Sequence, residues 1–279
     1  MFPERIDALI EIEVGFPPSV EVSGKSVNYN DLNLIYFALS IEELMLKTGK
    51  KAEDPLIILE IGGGYRGLTS KLAKIFSNSL FVASDLPQSL ITTSFYLAKL
   101  HGVQSVAQIT GPYCGMFKED FKFNVVASSN KEALKSLEFD LIINTRSLME
   151  MSKAECCDWL SFINQHLKIG GVFYQANRYL KNTSGWANRI KDYKYGNKWS
   201  ILLSRPLPFQ SHIHELGLIK TDKIDNTFAI QIQQLPKRAV VSAGETTHLS
   251  EILPRLDYWV RIVPVRLISK IKRLIQTWI

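Results

Sequence analysis

Cysteine is scarce in this chain: Cys114, Cys156 and Cys157 are the only three among 279 residues. An odd count with an adjacent pair supplies neither a disulfide framework nor metal-ligand spacing, so a reducing compartment is expected. Long apolar runs are also missing, and none approaches the roughly 18–20 residues that a membrane-spanning helix needs. The N-terminal stretch carries Glu4, Arg5, Asp7, Glu11 and Glu13 where a signal peptide would be apolar, so no secretory signal and a cytoplasmic location are expected. Internal repeats and low-complexity segments are absent. An apolar fraction of 46% against 22% charged residues excludes extensive disorder.

Acidic charge is sparse only at one end. The formal charge is +6, but residues 237–279 hold eight basic and three acidic side chains, a net +5 that leaves +1 for residues 1–236. The basic balance therefore describes a near-neutral body with a basic tail and gives no support for a nucleic-acid-binding body. After Pro264 the tail places Leu267, Ile268, Ile271, Leu274, Ile275 and Trp278 on one helical face and Arg266, Lys270, Lys272 and Arg273 on the others. This basic amphipathic helix is expected to pack on the protein's own body, on another subunit, or on an anionic membrane. In the membrane case the protein would be peripheral at the inner face.

Three regions follow: a helical N-terminal arm (1–50), a central domain (51–236) and the tail (237–279). Asp31 caps a helix to about Lys47 that Gly49 ends. Pro55–Ile61 then reads as a strand buried on both faces, and strand-like runs alternate with helical ones. Strands are expected at Leu80–Ser84, Asn124–Ala127, Leu141–Asn144, Val172–Gln175, Lys198–Ser204 and Thr227–Leu235. Helices are expected at Gln88–Leu100, Lys131–Leu137 and Lys153–His166. Residues 101–122 are poorly patterned. The alternation predicts an α/β fold, a Rossmann-like doubly wound sheet of about seven strands with the last antiparallel.

The segment Glu60-Ile-Gly-Gly-Gly-Tyr-Arg-Gly67 hands the first of these strands to a helix, and Gly62, Gly64 and Gly67 satisfy G-x-G-x-x-G. Glycines there permit a tight turn and close approach of a ligand. Asp85 ends the second strand, where a carboxylate can accept hydrogen bonds from a ribose diol. A dinucleotide would put its pyrophosphate near Glu60, two positions before the first glycine. A cationic ligand with an amino-acid end, S-adenosylmethionine, suits Glu60 better.

Leu59–Gly67, Ser84-Asp-Leu-Pro87, Phe139–Met151 and Gly170–Tyr179 resemble class I S-adenosylmethionine-dependent methyltransferases, and more narrowly a bacterial family of sugar O-methyltransferases. The resemblance runs from about Pro55 to Leu235. It implies cofactor contacts from Glu60, Gly62, Gly63, Gly64, Gly67, Asp85, Leu86, Asn130, Asn144 and Thr145, and a sugar or glycan acceptor. One position departs: Arg66 stands where the E-x-G-x-G-x-G form has glycine, a long side chain that either restricts the loop or points to solvent.

Reacting groups in an open α/β sheet lie beyond the carboxyl ends of the strands. Glu150 is the first candidate general base, one helical turn past Arg146 if a helix starts near Ser147, with its pKa raised by an apolar surround. Arg146, Arg178 and Tyr179 are candidates for holding the acceptor. His214, in Ser-His-Ile-His-Glu215, is the alternative base. His212, His214 and Glu215 could instead ligate a divalent metal, but the segment reads as a helix or turn before Gly217 and no metal site is assigned. Alternatives stay open: a small non-sugar metabolite or lipid as acceptor, a nicotinamide-dependent oxidoreductase, or a non-catalytic cofactor-binding subunit of a glycan-assembly complex.

Overall fold

The structure, a computed structural model, describes residues 5, 8–10, 14, 19–22, 25–109, 117–183 and 186–236. Ser19–Val22 (β1) and Lys25–Asn28 (β2) form an antiparallel hairpin. Helix α1 (Tyr29–Lys47) is capped by Asn28, whose side chain accepts the Asn30 N–H, and not by Asp31 as expected; Asp31 lies in the first turn. The chain continues through β3 (Ile57–Ile61), α2 (Gly67–Ile75), β4 (Leu80–Asp85), α3 (Pro87–His101), β5 (Val106–Ile109), β6 (Phe123–Ala127) and β7 (Phe139–Thr145). It proceeds through α4 (Lys153–His166), β8 (Leu167–Arg178), β9 (Lys181–Thr183), β10 (Trp186–Asn188), β11 (Trp199–Leu207), β12 (Gln210–Lys220) and α5 (Phe228–Gln234).

Eight strands make one sheet in the order β11-β12-β8-β7-β3-β4-β6-β5. Its pairs are parallel except those of β12, which runs antiparallel to both β8 and β11. Alternate strand residues serve opposite faces. Ile58, Phe81, Val125, Leu141, Val172 and Tyr174 join one core with Phe37, Ile41 and Leu44 of α1 and Leu68 and Leu72 of α2. Leu59, Val82, Ile142 and Phe173 are as deeply buried on the other face. There the Phe173 ring lies 6.4 Å from Trp199, whose Nε1 donates to Asn164 of α4 at 2.9 Å. Covering both faces is why the central strands read as continuous apolar runs.

The chain moves from β3 to β4 on one side, and later returns to place β7 on the other side of β3. That reversal makes the carboxyl ends of β3 and β7 the topological switch point, where sheets of this kind bind ligands. The sheet is thus Rossmann-like and doubly wound, as the alternation predicts, with eight strands instead of about seven.

Four expectations need correction. Thr227–Leu235 is helix α5, because its apolar residues at every second position also match helical spacing: Phe228, Ile232 and Leu235 are buried while Ile230 is exposed. The antiparallel last strand is β12, so the His212–Glu215 segment is strand and neither helix nor turn. Gly217 does not end it; a Cβ there would come within 2.7 Å of Leu44 Cδ1, so glycine admits α1 against the sheet. The fifth expected strand starts earlier, at Leu167, and runs through Gly170 and Gly171, where the pairing with β7 shifts register. The poorly patterned stretch contains β5, a four-residue edge strand too short to show periodicity. No described helix is long and apolar enough to cross a membrane. The expected tail helix and Cys114 lie outside the described residues.

Candidate functional site

β3 brings Glu60, 1% exposed, to its carboxyl end. Thr69 donates its hydroxyl hydrogen bond to Glu60 Oε2, whereas Oε1 is buried without a partner. Gly62 follows with φ +68°, and Ser147 lies so close that a Cβ at Gly62 would be 2.1 Å from its Oγ. Ser147 Oγ in turn donates to the Ile61 carbonyl at 3.0 Å, stitching the β7 turn to the loop. Gly63 covers the Glu60 carboxylate, which a Cβ would meet at 2.3 Å. Gly64 N–H donates to Asp85 Oδ2 at 2.9 Å, and its carbonyl accepts from Thr93 of α3 at 2.7 Å. Gly67 opens α2 against Leu34. Asp85 Oδ1 accepts the N–H of Leu86, whose side chain is 50% exposed beside it.

Arg66 decides the loop's interior. Its φ of +70° is the left-handed conformation that favours glycine, which accounts for the glycine in the E-x-G-x-G-x-G form. The side chain is fully buried, so it does not point to solvent. Nη1 donates to the Glu60 carbonyl at 3.0 Å and lies 3.4 Å from Glu60 Oε2; Nη2 donates to the Ser84 carbonyl at 2.6 Å and lies 3.5 Å from Asp85 Oδ2. One guanidinium therefore bridges both acids on which the nucleoside reading rests.

At the end of β7, the Asn144 amide donates to the Ile61 carbonyl (3.1 Å) and to Ser147 Oγ, and Oδ1 accepts from Leu148 N–H (3.1 Å) and Asn177 Nδ2 (2.9 Å). This uses the hydrogen-bonding capacity of the side chain and locks β7 to β8. Asn177 also donates to Gln175, which donates to the Tyr195 hydroxyl at 2.7 Å. Thr145 closes β7, half-buried. Asn130 is half-buried in the short helical stretch Ser128–Leu134 after β6, with φ −112° and ψ 34°.

The candidate base Glu150 sits in a single 3-10 turn, Leu148–Glu150, with no helix starting at Ser147. Its side chain is 48% exposed and ion-paired with Lys181, so the apolar surround expected of it is absent. Arg146 turns elsewhere. With φ +63° it donates from Nη2 to Gln210 Oε1 at 2.7 Å and stacks 5.8 Å over the Phe37 ring. A left-handed residue at a strand end sends Arg146 toward α1 and Glu150 toward β9, so the two do not share one helical face. Arg178 is exposed at the end of β8, its N–H against Met149 Sδ at 3.4 Å.

His214 is buried on β12, with Nδ1 2.8 Å from the Tyr179 hydroxyl and Nε2 2.9 Å from Ser204 Oγ. Burial, partly opposed by Glu215, pushes its pKa down to about 4, so the imidazole is neutral at neutral pH. Burial likewise raises that of Tyr179. Neighbouring strand residues face opposite sides, and Glu215 turns away to accept from Tyr174 (2.7 Å), Tyr36 (2.9 Å) and Arg205 (2.7 Å). His212, His214 and Glu215 accordingly do not converge, and no group of three metal-ligating side chains gathers among the described residues.

Ser204, Thr93 and Gln210 were not legible as site neighbours, because each arrives from another element, and Thr69, two residues past Gly67, is singled out only by its bond to Glu60. Only the switch from turn to strand at 210–220 would have brought Ser204 and Gln210 into view.

Protein-family models and curated proteins give no match to this sequence. Among solved structures, the chain is similar to a precorrin-6Y C5,15-methyltransferase from Geobacter metallireducens GS-15, at 13% identity over 65% of this chain and 87% of that one, TM-score 0.41. It is similar to an S-adenosylmethionine-dependent methyltransferase from Clostridium acetobutylicum ATCC 824, at 14% identity over 69% and 99%, TM-score 0.45. An rRNA methylase from Streptococcus thermophilus aligns at 16% identity over 66% and 95%, TM-score 0.44.

Proposed function

We propose that this chain is an S-adenosylmethionine-dependent methyltransferase whose acceptor is a hydroxyl of a glycan or activated sugar. The observation that carries the cofactor reading is Glu60: a buried carboxylate with one unpartnered oxygen, beneath a glycine loop at the reversal point of the sheet. That oxygen suits an ammonium donor and would repel a pyrophosphate. Asp85 offers acceptor capacity to a ribose diol, and Leu86 an exposed apolar surface to a base. The antiparallel strand β12 lying between β8 and β11 also favours this reading over a nicotinamide-dependent oxidoreductase. The sugar acceptor rests on the sequence resemblance of the Asn-Thr-Arg-Ser and Asn-Arg-Tyr segments.

When bound, S-adenosylmethionine supplies an electrophilic methyl group on a sulfonium. Transfer of that methyl to an acceptor hydroxyl would release the hydroxyl proton, which a base has to take. The residues of this chain have to align the hydroxyl and take that proton. Arg178, exposed at the end of β8, is the group to hold an anionic acceptor. For the proton, Glu150 is the candidate with an accessible carboxylate, 48% exposed and ion-paired with Lys181. His214 is the alternative, buried and with both ring nitrogens already engaged by the Tyr179 hydroxyl and Ser204.

Calorimetry tests the cofactor reading: micromolar binding of S-adenosylhomocysteine with none of NADPH supports it, and the reverse sinks it. With an acceptor in hand, Glu150→Gln should lower kcat by about two orders of magnitude while cofactor affinity holds, a typical loss for a proton acceptor. His214→Asn should lower it less. The opposite ranking would give the role to His214.

A further inference from the structure

Arg66 is wholly buried within the glycine loop, and the reading above makes no use of it. Its backbone holds a conformation that any residue with a Cβ resists, yet the chain keeps arginine where glycine would sit without strain. The side chain is wholly buried, so solvent does not screen its charge. Its two terminal nitrogens divide between the acids: 3.4 Å to Glu60 Oε2 and 3.5 Å to Asp85 Oδ2. The shorter hydrogen bonds go to the backbone carbonyls of Glu60 (3.0 Å) and Ser84 (2.6 Å). Those two bonds need only a donor. The longer contacts to the carboxylates are electrostatic and need the charge.

We propose that Arg66 is a positioning residue that sets the charge of the cofactor site: held between Glu60 and Asp85, it leaves one net negative charge where the two acids alone would present two, and so lowers the preference for the cationic sulfonium donor over the uncharged thioether product. The inference rests on the cofactor reading above. The two ligands differ by one methyl group and one positive charge, so their relative affinity reports the field inside the loop. With Arg66 in place the product competes more effectively with the donor, and the strained backbone is retained for that balance.

The test is calorimetric titration of the full chain with S-adenosylmethionine and with S-adenosylhomocysteine, for wild type and three variants. Arg66→Gln keeps hydrogen-bond donors without charge, Arg66→Gly suits the backbone conformation, and Arg66→Lys keeps the charge. The affinity ratio should move toward the sulfonium by about tenfold in the two neutral variants, as expected for removing one unscreened like charge. The lysine variant should stay within about twofold of wild type, and the shift in the neutral variants should persist at high salt, because a buried charge is little screened. A purely structural role would weaken both ligands alike and leave the ratio unmoved. A folded neutral variant with the wild-type ratio overturns the proposal, and the glycine variant serves if the glutamine variant fails to fold. Wild type that binds neither ligand would overturn the cofactor reading and this inference together; wild type that binds both with an unmoved ratio overturns this inference alone.

Discussion

At the scale of single residues, burial and not identity decides what a titratable group does here. Glu60 and Glu150 are the same side chain. One is enclosed with an unpartnered oxygen, and the other is exposed and paired with Lys181. Asp140 illustrates the balance: burial would raise its pKa, but hydrogen bonds from Lys168, the Ile57 N–H and Lys50 hold it below the usual carboxylate value. His214 goes the other way, and its consequence for stability has a definite sign. Its pKa falls from 6.5 to about 4 on folding, so neutral burial stabilises the fold fully above pH 6.5 and is lost as pH drops toward 4. Between those limits wild type should lose about 1.4 kcal/mol per pH unit more than His214→Gln, by urea unfolding at a series of pH values. Parallel slopes for the two proteins would show that His214 is not buried neutral.

At the scale of elements, the site is made where the turns after β3 and β7 touch. Gly62 and Ser147 meet with no room for another atom, and Gly62 has a positive φ. Gly62→Ala should therefore cost about 2–4 kcal/mol, from overpacking and backbone strain combined. Adding Ser147→Gly should recover the overpacking part only, which denaturant titration of the two variants separates. Full recovery would mean that the backbone conformation is unstrained. The same contact explains why Ser147, one of several polar residues at the end of β7, matters to the loop at all. Nothing in its neighbourhood in sequence singles it out.

At the scale of the whole molecule, charge is divided between a near-neutral body and a tail carrying a net +5. The tail's amphipathic pattern argues for a surface it can lie against, and its basic face for an anionic one. If that surface is a membrane, the full chain should sediment with vesicles containing anionic lipid, and a chain ending at Pro264 should not. An intact chain that never sediments would leave the protein's own body or another subunit as the surface. Cofactor affinity should be equal in both chains, because the loop, Asp85 and the β7 turn all lie within residues 60–150.

Local order along the chain was enough to place β3, β4, β6, β7 and α4, the glycine loop and the acid after β4. Each follows from a pattern carried by neighbours: buried apolar runs, strand-like runs alternating with helical ones, glycines where a strand hands over to a helix. The sequence by itself thus determined the class of sheet and the end of it at which the candidate site lies. What only the tertiary structure decided depends on residues far apart in the chain. Phe228 to Gln234 is helix because Phe228 and Ile232 bury together, and 210–220 is strand because β8 and β11 flank it. Arg66 turns inward because the Ser84 carbonyl and Asp85 are there to receive it. A pattern along the chain cannot report such partners, since the free energy that selects each conformation comes from contacts that exist only once the sheet is assembled.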